Sequence, residues 1–140
     1  MNKQISKTSR RFWVIINYLS MFLILGFFYN GKSCGWSHTF TFAIIIVVGI
    51  LILSFIYAYG ITHLWKLVHT SSKKLDERQV QVVHRALQIS YSIFVIMVLL
   101  IIYSYALVEK GPIDVVLAAC LLYLAHTLPA AFIAWTEKEV

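Results

Sequence analysis

One histidine stands where an ionisable side chain is expensive. His126 lies near the middle of the last of four long apolar runs. A neutral imidazole there can donate a hydrogen bond to another helix, bind a metal ion or ligate haem, and polar groups inside apolar segments are often functional. The structural alternative is a hydrogen bond between helices beside a kink at Pro129. We therefore treat His126 as a candidate intramembrane functional residue and keep both interpretations open.

The remaining histidines and cysteines do not form a recognisable ligand set. Only His63 and His84 fall at comparable predicted depth on neighbouring helices, and the chain contains no H-x-x-x-H or C-x-x-C pair. Cys34 and Cys120 differ too much in predicted depth for an intrachain disulfide. We predict no cofactor and no metal site. A haem- or metal-binding redox membrane protein is kept as the second alternative.

The acidic residues are few and scattered, which argues against acid–base catalysis. The chain has six Asp and Glu residues, and no two of them face each other within one apolar run. Nucleophile-elbow, P-loop and H-E-x-x-H patterns are also missing from the sequence. We therefore expect no enzyme. The first alternative is a small oligomeric transporter or channel with His126 on the path.

The most distinctive polar cluster precedes the third apolar run. Asp76 suits a helix N-cap, with Gln79 completing a capping box, and Glu77 is favoured at the positive end of the helix dipole. A functional interpretation is a docking surface, because Arg78 and Arg85 lie two turns apart and can pair with an acidic partner or a lipid phosphate. The candidate docking residues are thus Asp76, Glu77, Arg78 and Arg85.

This cluster also carries a family resemblance. The run Leu-Asp-Glu-Arg-Gln at 75–79, followed by Arg85, Ala86 and an apolar helix, resembles a D-E-R motif. That motif occurs before a transmembrane helix in small prokaryotic membrane proteins of unknown function. The resemblance covers this short segment and implies a prokaryotic membrane protein, without an activity to transfer.

Four apolar runs must position these residues. The chain is 60% apolar and 13% charged, whereas soluble domains are about 45–50% apolar and about 25% charged. Helices are expected at about 12–30, 39–69, 76–108 and 113–135, each near the roughly 20 residues that span a hydrocarbon core. The predicted fold is an all-α polytopic membrane protein in one domain, 1–140. It is a four-transmembrane-helix bundle with a protruding cytoplasmic helical hairpin between helices 2 and 3.

The basic residues predict the orientation. Of twelve Lys and Arg residues, four lie before the first run, five lie in the middle loop and one lies in the C-terminal tail, whereas the other two loops hold one each. Loops rich in Lys and Arg stay in the cytoplasm. We therefore expect a multi-pass protein of the plasma (inner) membrane with cytoplasmic N- and C-termini.

The same distribution of basic residues limits the classes of partner that the protein is expected to bind. A net charge of +6 placed at membrane edges favours lipid head groups over nucleic acid. We expect a non-enzymatic accessory or regulatory subunit that binds protein or lipid through the cytoplasmic hairpin. Its expected partners are the bilayer and a membrane or cytoplasmic protein, and a homo-oligomer is left open.

Overall fold

The regular structure of the chain is helical. The computed structural model describes residues 6–108 and 111–137, and every regular element in these ranges is a helix. The α-helices are α1 (Lys7–Cys34), α2 (His38–Phe55), α3 (Leu64–His69), α4 (Glu77–Leu107) and α5 (Val115–Thr136). A π-helix, Ile56–Gly60, continues α2, and a 3₁₀ turn, Ser72–Lys74, precedes α4. The predicted all-α class is confirmed.

Four helical stretches are long and apolar enough to cross a membrane. They are α1, α2 with its π-helical continuation (His38–Gly60), α4 and α5, which matches the number of apolar runs in the sequence. At 1.5 Å per residue, the 28 residues of α1 and the 31 of α4 extend for about 42 and about 46 Å. Both are longer than the roughly 30 Å of a hydrocarbon core.

The first helix continues beyond its predicted end. We expected a turn from Asn30, but α1 remains helical through Cys34, and Gly35 ends it with a φ of 89°. The polar side chains that indicated a turn instead bond back along the helix. Asn30 donates to the Gly26 carbonyl at 2.8 Å, and Ser33 donates to the Tyr29 carbonyl at 3.0 Å. Such local bonds let small polar residues remain helical.

The second helix is interrupted, so the predicted continuous helix at 39–69 is wrong. After the π-helix the chain turns through Thr62 and His63, whose φ of 58° is in the left-handed region, and α3 begins at Leu64. The His63 amide donates to the Gly60 carbonyl at 3.1 Å, and the Thr62 hydroxyl donates to the Ala58 carbonyl. These bonds satisfy part of the helix end and make the break stable.

The chain forms two compact units. One unit holds the residues up to Leu64 and those from Ala134 onward, and the other is Trp65–Ile133. In the first, α1 packs along α2, with Trp13 stacked on Tyr57 at 4.7 Å between ring centroids. In the second, α4 buries one face, which consists of Val83, Ala86 and Ser90.

Two glycines of α1 provide a test of this packing. A β-carbon at Gly31 would lie 3.4 Å from the Trp36 ring, whereas nothing lies within 4 Å of one at Gly26. Alanine replaces glycine in a helix with a gain of about 0.8–1 kcal/mol. We therefore expect Gly26→Ala to raise the free energy of unfolding by nearly this amount. Gly31→Ala should raise it by at least as much, because its β-carbon would meet the Trp36 ring at ordinary van der Waals distance. Reversible unfolding in detergent measures both, and a clearly smaller gain at Gly31 would contradict the contact with Trp36.

Candidate functional site

The polar cluster before the third long helix forms the predicted capping box. The Asp76 carboxylate accepts from the Gln79 amide at 2.7 Å, and the Gln79 side-chain carbonyl accepts from the Asp76 amide at 3.4 Å. Two amides at the start of α4 are thus satisfied reciprocally. The prediction that Asp76 is an N-cap with a capping box to Gln79 is confirmed.

The two acids of the candidate docking set therefore have a role in the fold. Asp76 is the N-cap, and Glu77 is the first residue of α4, where the helix dipole favours negative charge. Both side chains are exposed, but the Asp76 carboxylate is already engaged by the Gln79 amide. The two cations of the set, Arg78 and Arg85, lie further along α4 and outside the capping box.

Those cations belong to a longer polar row on α4. Four exposed polar residues follow the i, i+3, i+7, i+10 spacing that places side chains on one helix face. We call them the polar stripe, and they are Arg78, Gln81, Arg85 and Gln88. At 100° per residue the stripe points away from the buried face of α4. It is therefore a continuous surface with two positive charges and two amides, separate from the packing of the helix.

His126 lies on the exposed side of α5. Its Nδ1 is 2.9 Å from the Leu122 carbonyl, so Nδ1 carries the hydrogen and donates within the same helix. Nδ1 therefore does not make the hydrogen bond between helices that was the structural alternative. The next residue, Thr127, is fully buried and its hydroxyl donates to the Tyr123 carbonyl at 3.0 Å. His126 and Thr127, although adjacent in sequence, thus lie on the exposed and the buried side of α5.

The histidines near the helix break have local partners or exposed positions. His69 stacks on Trp65 with 4.1 Å between ring centroids, and its Nδ1 donates to the Trp65 carbonyl at 2.8 Å. His63 and His84 are exposed. Within residues 6–108 and 111–137, no group of three or more His, Cys, Asp or Glu side chains is placed to hold a metal ion.

A buried polar contact that the sequence analysis missed joins α1 to α2. The Asn17 amide is fully buried and donates to the Leu51 carbonyl at 3.2 Å and to the Ser54 hydroxyl at 3.1 Å. Ser54 in turn donates to Leu51 at 2.9 Å. The sequence feature that could have indicated this contact is an amide side chain in the middle of an apolar run. Because its donors are committed to α2, Asn17 positions helices rather than presenting a reactive group.

A second missed feature lies at the ends of α1 and α5. Three cations, spaced i, i+3, i+4 on α1, donate to three consecutive carbonyls: Lys7 to Thr136 at 2.9 Å, Arg10 to Glu137 at 3.1 Å and Arg11 to Trp135 at 2.9 Å. We call Lys7, Arg10 and Arg11 the terminal clasp. Helix C-termini leave carbonyls without intrahelical donors and favour positive charge. The clasp meets both needs.

The comparisons with known proteins add no family. A scan against protein-family models and searches among curated proteins and solved structures found no match to this chain. The D-E-R resemblance of residues 75–79 therefore stays a prediction.

The buried amide provides a prediction about stability. Asn17→Leu keeps the branched shape and the number of non-hydrogen side-chain atoms and removes the donors to Leu51 and Ser54, so we expect it to lower the free energy of unfolding by about 1–2 kcal/mol. The control is Asn30→Leu at the far end of the same helix, where the amide is exposed and bonds only locally to Gly26. That change should stay within about 0.5 kcal/mol. Equal effects on unfolding in detergent would show that the Asn17 contact does not stabilise the helix pair.

Proposed function

We propose that this chain is a multi-pass protein of a prokaryotic plasma membrane and serves as a non-enzymatic accessory or regulatory subunit. In this proposal the four long apolar helices form a transmembrane bundle, and an acidic protein partner docks on the polar stripe. The composition of the helices supports insertion, since each is long and apolar enough to cross. An even number of crossings agrees with the terminal clasp, which joins the start of α1 to the end of α5.

The length of α4 supports a protruding hairpin. Its 31 residues exceed the roughly 20 that a hydrocarbon core needs by about one-third of the helix. The polar end of α4 is its N-terminal end, where Glu77, Arg78 and Arg85 are exposed. Placing the apolar part in lipid puts the first turns of α4 outside it, on the side that is rich in Lys and Arg. By the positive-inside rule that side is the cytoplasm.

The position of the polar stripe is the observation that carries the docking proposal. Its residues are exposed and lie opposite the face that α4 buries, so they are accessible to a partner. The stripe is about 15 Å long, which matches about three turns of a partner helix. Its cations favour carboxylates, and its amides can both donate and accept. An acidic amphipathic helix of a membrane or cytoplasmic protein fits this pattern.

The position of His126 supports a second candidate function, that of a small oligomeric transporter or channel. The ring is on the exposed surface of α5, and in its neutral form Nε2 accepts hydrogen bonds while Nδ1 donates to Leu122. A conduction path past this residue would therefore run along the outside of one chain and between copies. Flux through proteoliposomes that His126→Ala abolishes without unfolding the protein would favour this candidate.

Affinity purification tests the docking proposal. The tagged protein is purified in mild detergent beside an Arg78→Gln/Arg85→Gln variant, which leaves the capping box intact, and companions are identified by mass spectrometry. We expect a stoichiometric companion that the variant binds about thirtyfold more weakly, because each charged contact contributes about a factor of five. Lys74→Gln, at an exposed position outside the stripe, is the control. A companion that the double variant retains, or no companion with any form, would contradict docking on the stripe.

Cysteine labelling tests the proposed topology. Cys34 is exposed after the first helix, which the proposal places outside the cell, and Ser71 is exposed in the segment placed inside. In a Cys120→Ala background, an impermeant maleimide should label Cys34 in intact spheroplasts. A Ser71→Cys variant that also carries Cys34→Ala should react only after the membrane is opened. The reverse pattern would overturn the orientation, and labelling of both in intact cells would overturn the four crossings.

A further inference from the structure

We propose that the terminal clasp also binds the phosphodiester group of an anionic phospholipid. The inference rests on the membrane insertion proposed above and is independent of docking on the polar stripe. The clasp gathers three cations on one turn of α1, beside the last carbonyls of α5. If α1 and α5 cross the bilayer, this group lies at the level of the lipid head groups.

The charges of the clasp are not balanced within the described part of these two helix ends. In residues 6–11 and 134–137, Lys7, Arg10 and Arg11 face a single acid, Glu137. The carbonyl oxygens that they contact are uncharged, and the dipole of α5 contributes only about half a negative charge at its C-terminus. Among these described residues the positive charge therefore exceeds the negative charge by more than one unit. A phosphodiester brings one negative charge, which suits that excess.

The guanidinium of Arg11 suits a phosphate better than a compact ammonium group would. Its guanidinium lies 4.8 Å from the centre of the Trp135 ring and donates through one Nη to the Trp135 carbonyl. A guanidinium has five N–H donors in a planar fork, which matches two oxygens of a phosphate. The stacked ring limits rotation of that plane. Because Nε is buried, the donors that can reach a phosphate are those of the two Nη atoms.

The surroundings of Arg11 favour a lipid over a free phosphate ion. The Trp135 ring, which lies against the guanidinium, is 45% exposed, and Phe12, the next residue along α1, is 57% exposed. Tryptophan is enriched at membrane interfaces because its indole has an apolar body and a polar N–H. A phospholipid can place its phosphate at Arg11 and its acyl chains against these rings, whereas an inorganic anion gains nothing from them.

Native mass spectrometry of the reconstituted protein tests the inference. The protein is placed in nanodiscs containing equal amounts of phosphatidylglycerol and phosphatidylcholine, released, and the lipids that stay bound are counted. The wild type should retain phosphatidylglycerol in preference. Arg11→Gln should reduce that preference about fivefold, and Arg11→Lys should retain part of it. Lys32→Gln, an exposed cation at the opposite end of α1, should leave it unchanged.

Several results would overturn the inference. The first is equal retention of both lipids by the wild type, and the second is an unchanged preference for phosphatidylglycerol in Arg11→Gln. The third is thermal stabilisation by soluble glycerol phosphate equal to that by phosphatidylglycerol, which would indicate a site for a free anion. If Arg11→Gln does not fold in phosphatidylcholine alone, Lys7→Gln replaces it, with the same expected direction. Failure of the wild type to enter nanodiscs would instead contradict membrane insertion, so the two proposals fail in different ways.

Discussion

The need to satisfy backbone polar groups at helix ends governs this structure. A helix pairs its own interior amides and carbonyls, but it leaves several at each end without partners, and apolar surroundings make such groups costly. The chain answers with side chains at the critical ends. Asp76 and Gln79 cap the start of α4, Thr62 bonds back to the end of the π-helix, and the terminal clasp covers the end of α5. The polar residues of a largely apolar chain are thus concentrated where backbone groups need them.

Polar side chains also form the contacts between helices. In lipid, apolar side chains gain little from leaving the solvent, so close packing and hydrogen bonds must hold helices together. The buried seam of α1 includes Arg10, Val14, Asn17 and Met21, which recur at the spacing of one helix face. Two of the four are polar, and each bonds to a different segment. One helix is therefore held at two positions, to the end of α5 and to the last turns of α2.

Local patterns predicted part of this fold, and long-range contacts account for the rest. The helical class, the four apolar helices and the capping box at Asp76 follow from composition, run length and residues three apart in sequence. The interruption at His63 was missed because a continuous apolar run outweighed the signal of Gly60 and Thr62. The partners of Asn17 and of the terminal clasp are distant in sequence, so residue type marked them as unusual without identifying what they contact. Asn17 lay in an apolar run, and the clasp cations shared one helix face.

The capping box also changes how the docking cluster is interpreted. Four charged residues were grouped as one candidate surface, but the fold separates them by position on α4. Asp76 and Glu77 fix where the helix begins, and this start sets the direction of every later side chain. Arg78 lies in the first turn, so its position depends directly on the cap, whereas Arg85 lies two turns further on and is held by the packed face at Ala86. In the proposed docking, the acids therefore act indirectly: the capping box fixes the start of α4 and so the direction in which the cations of the polar stripe point.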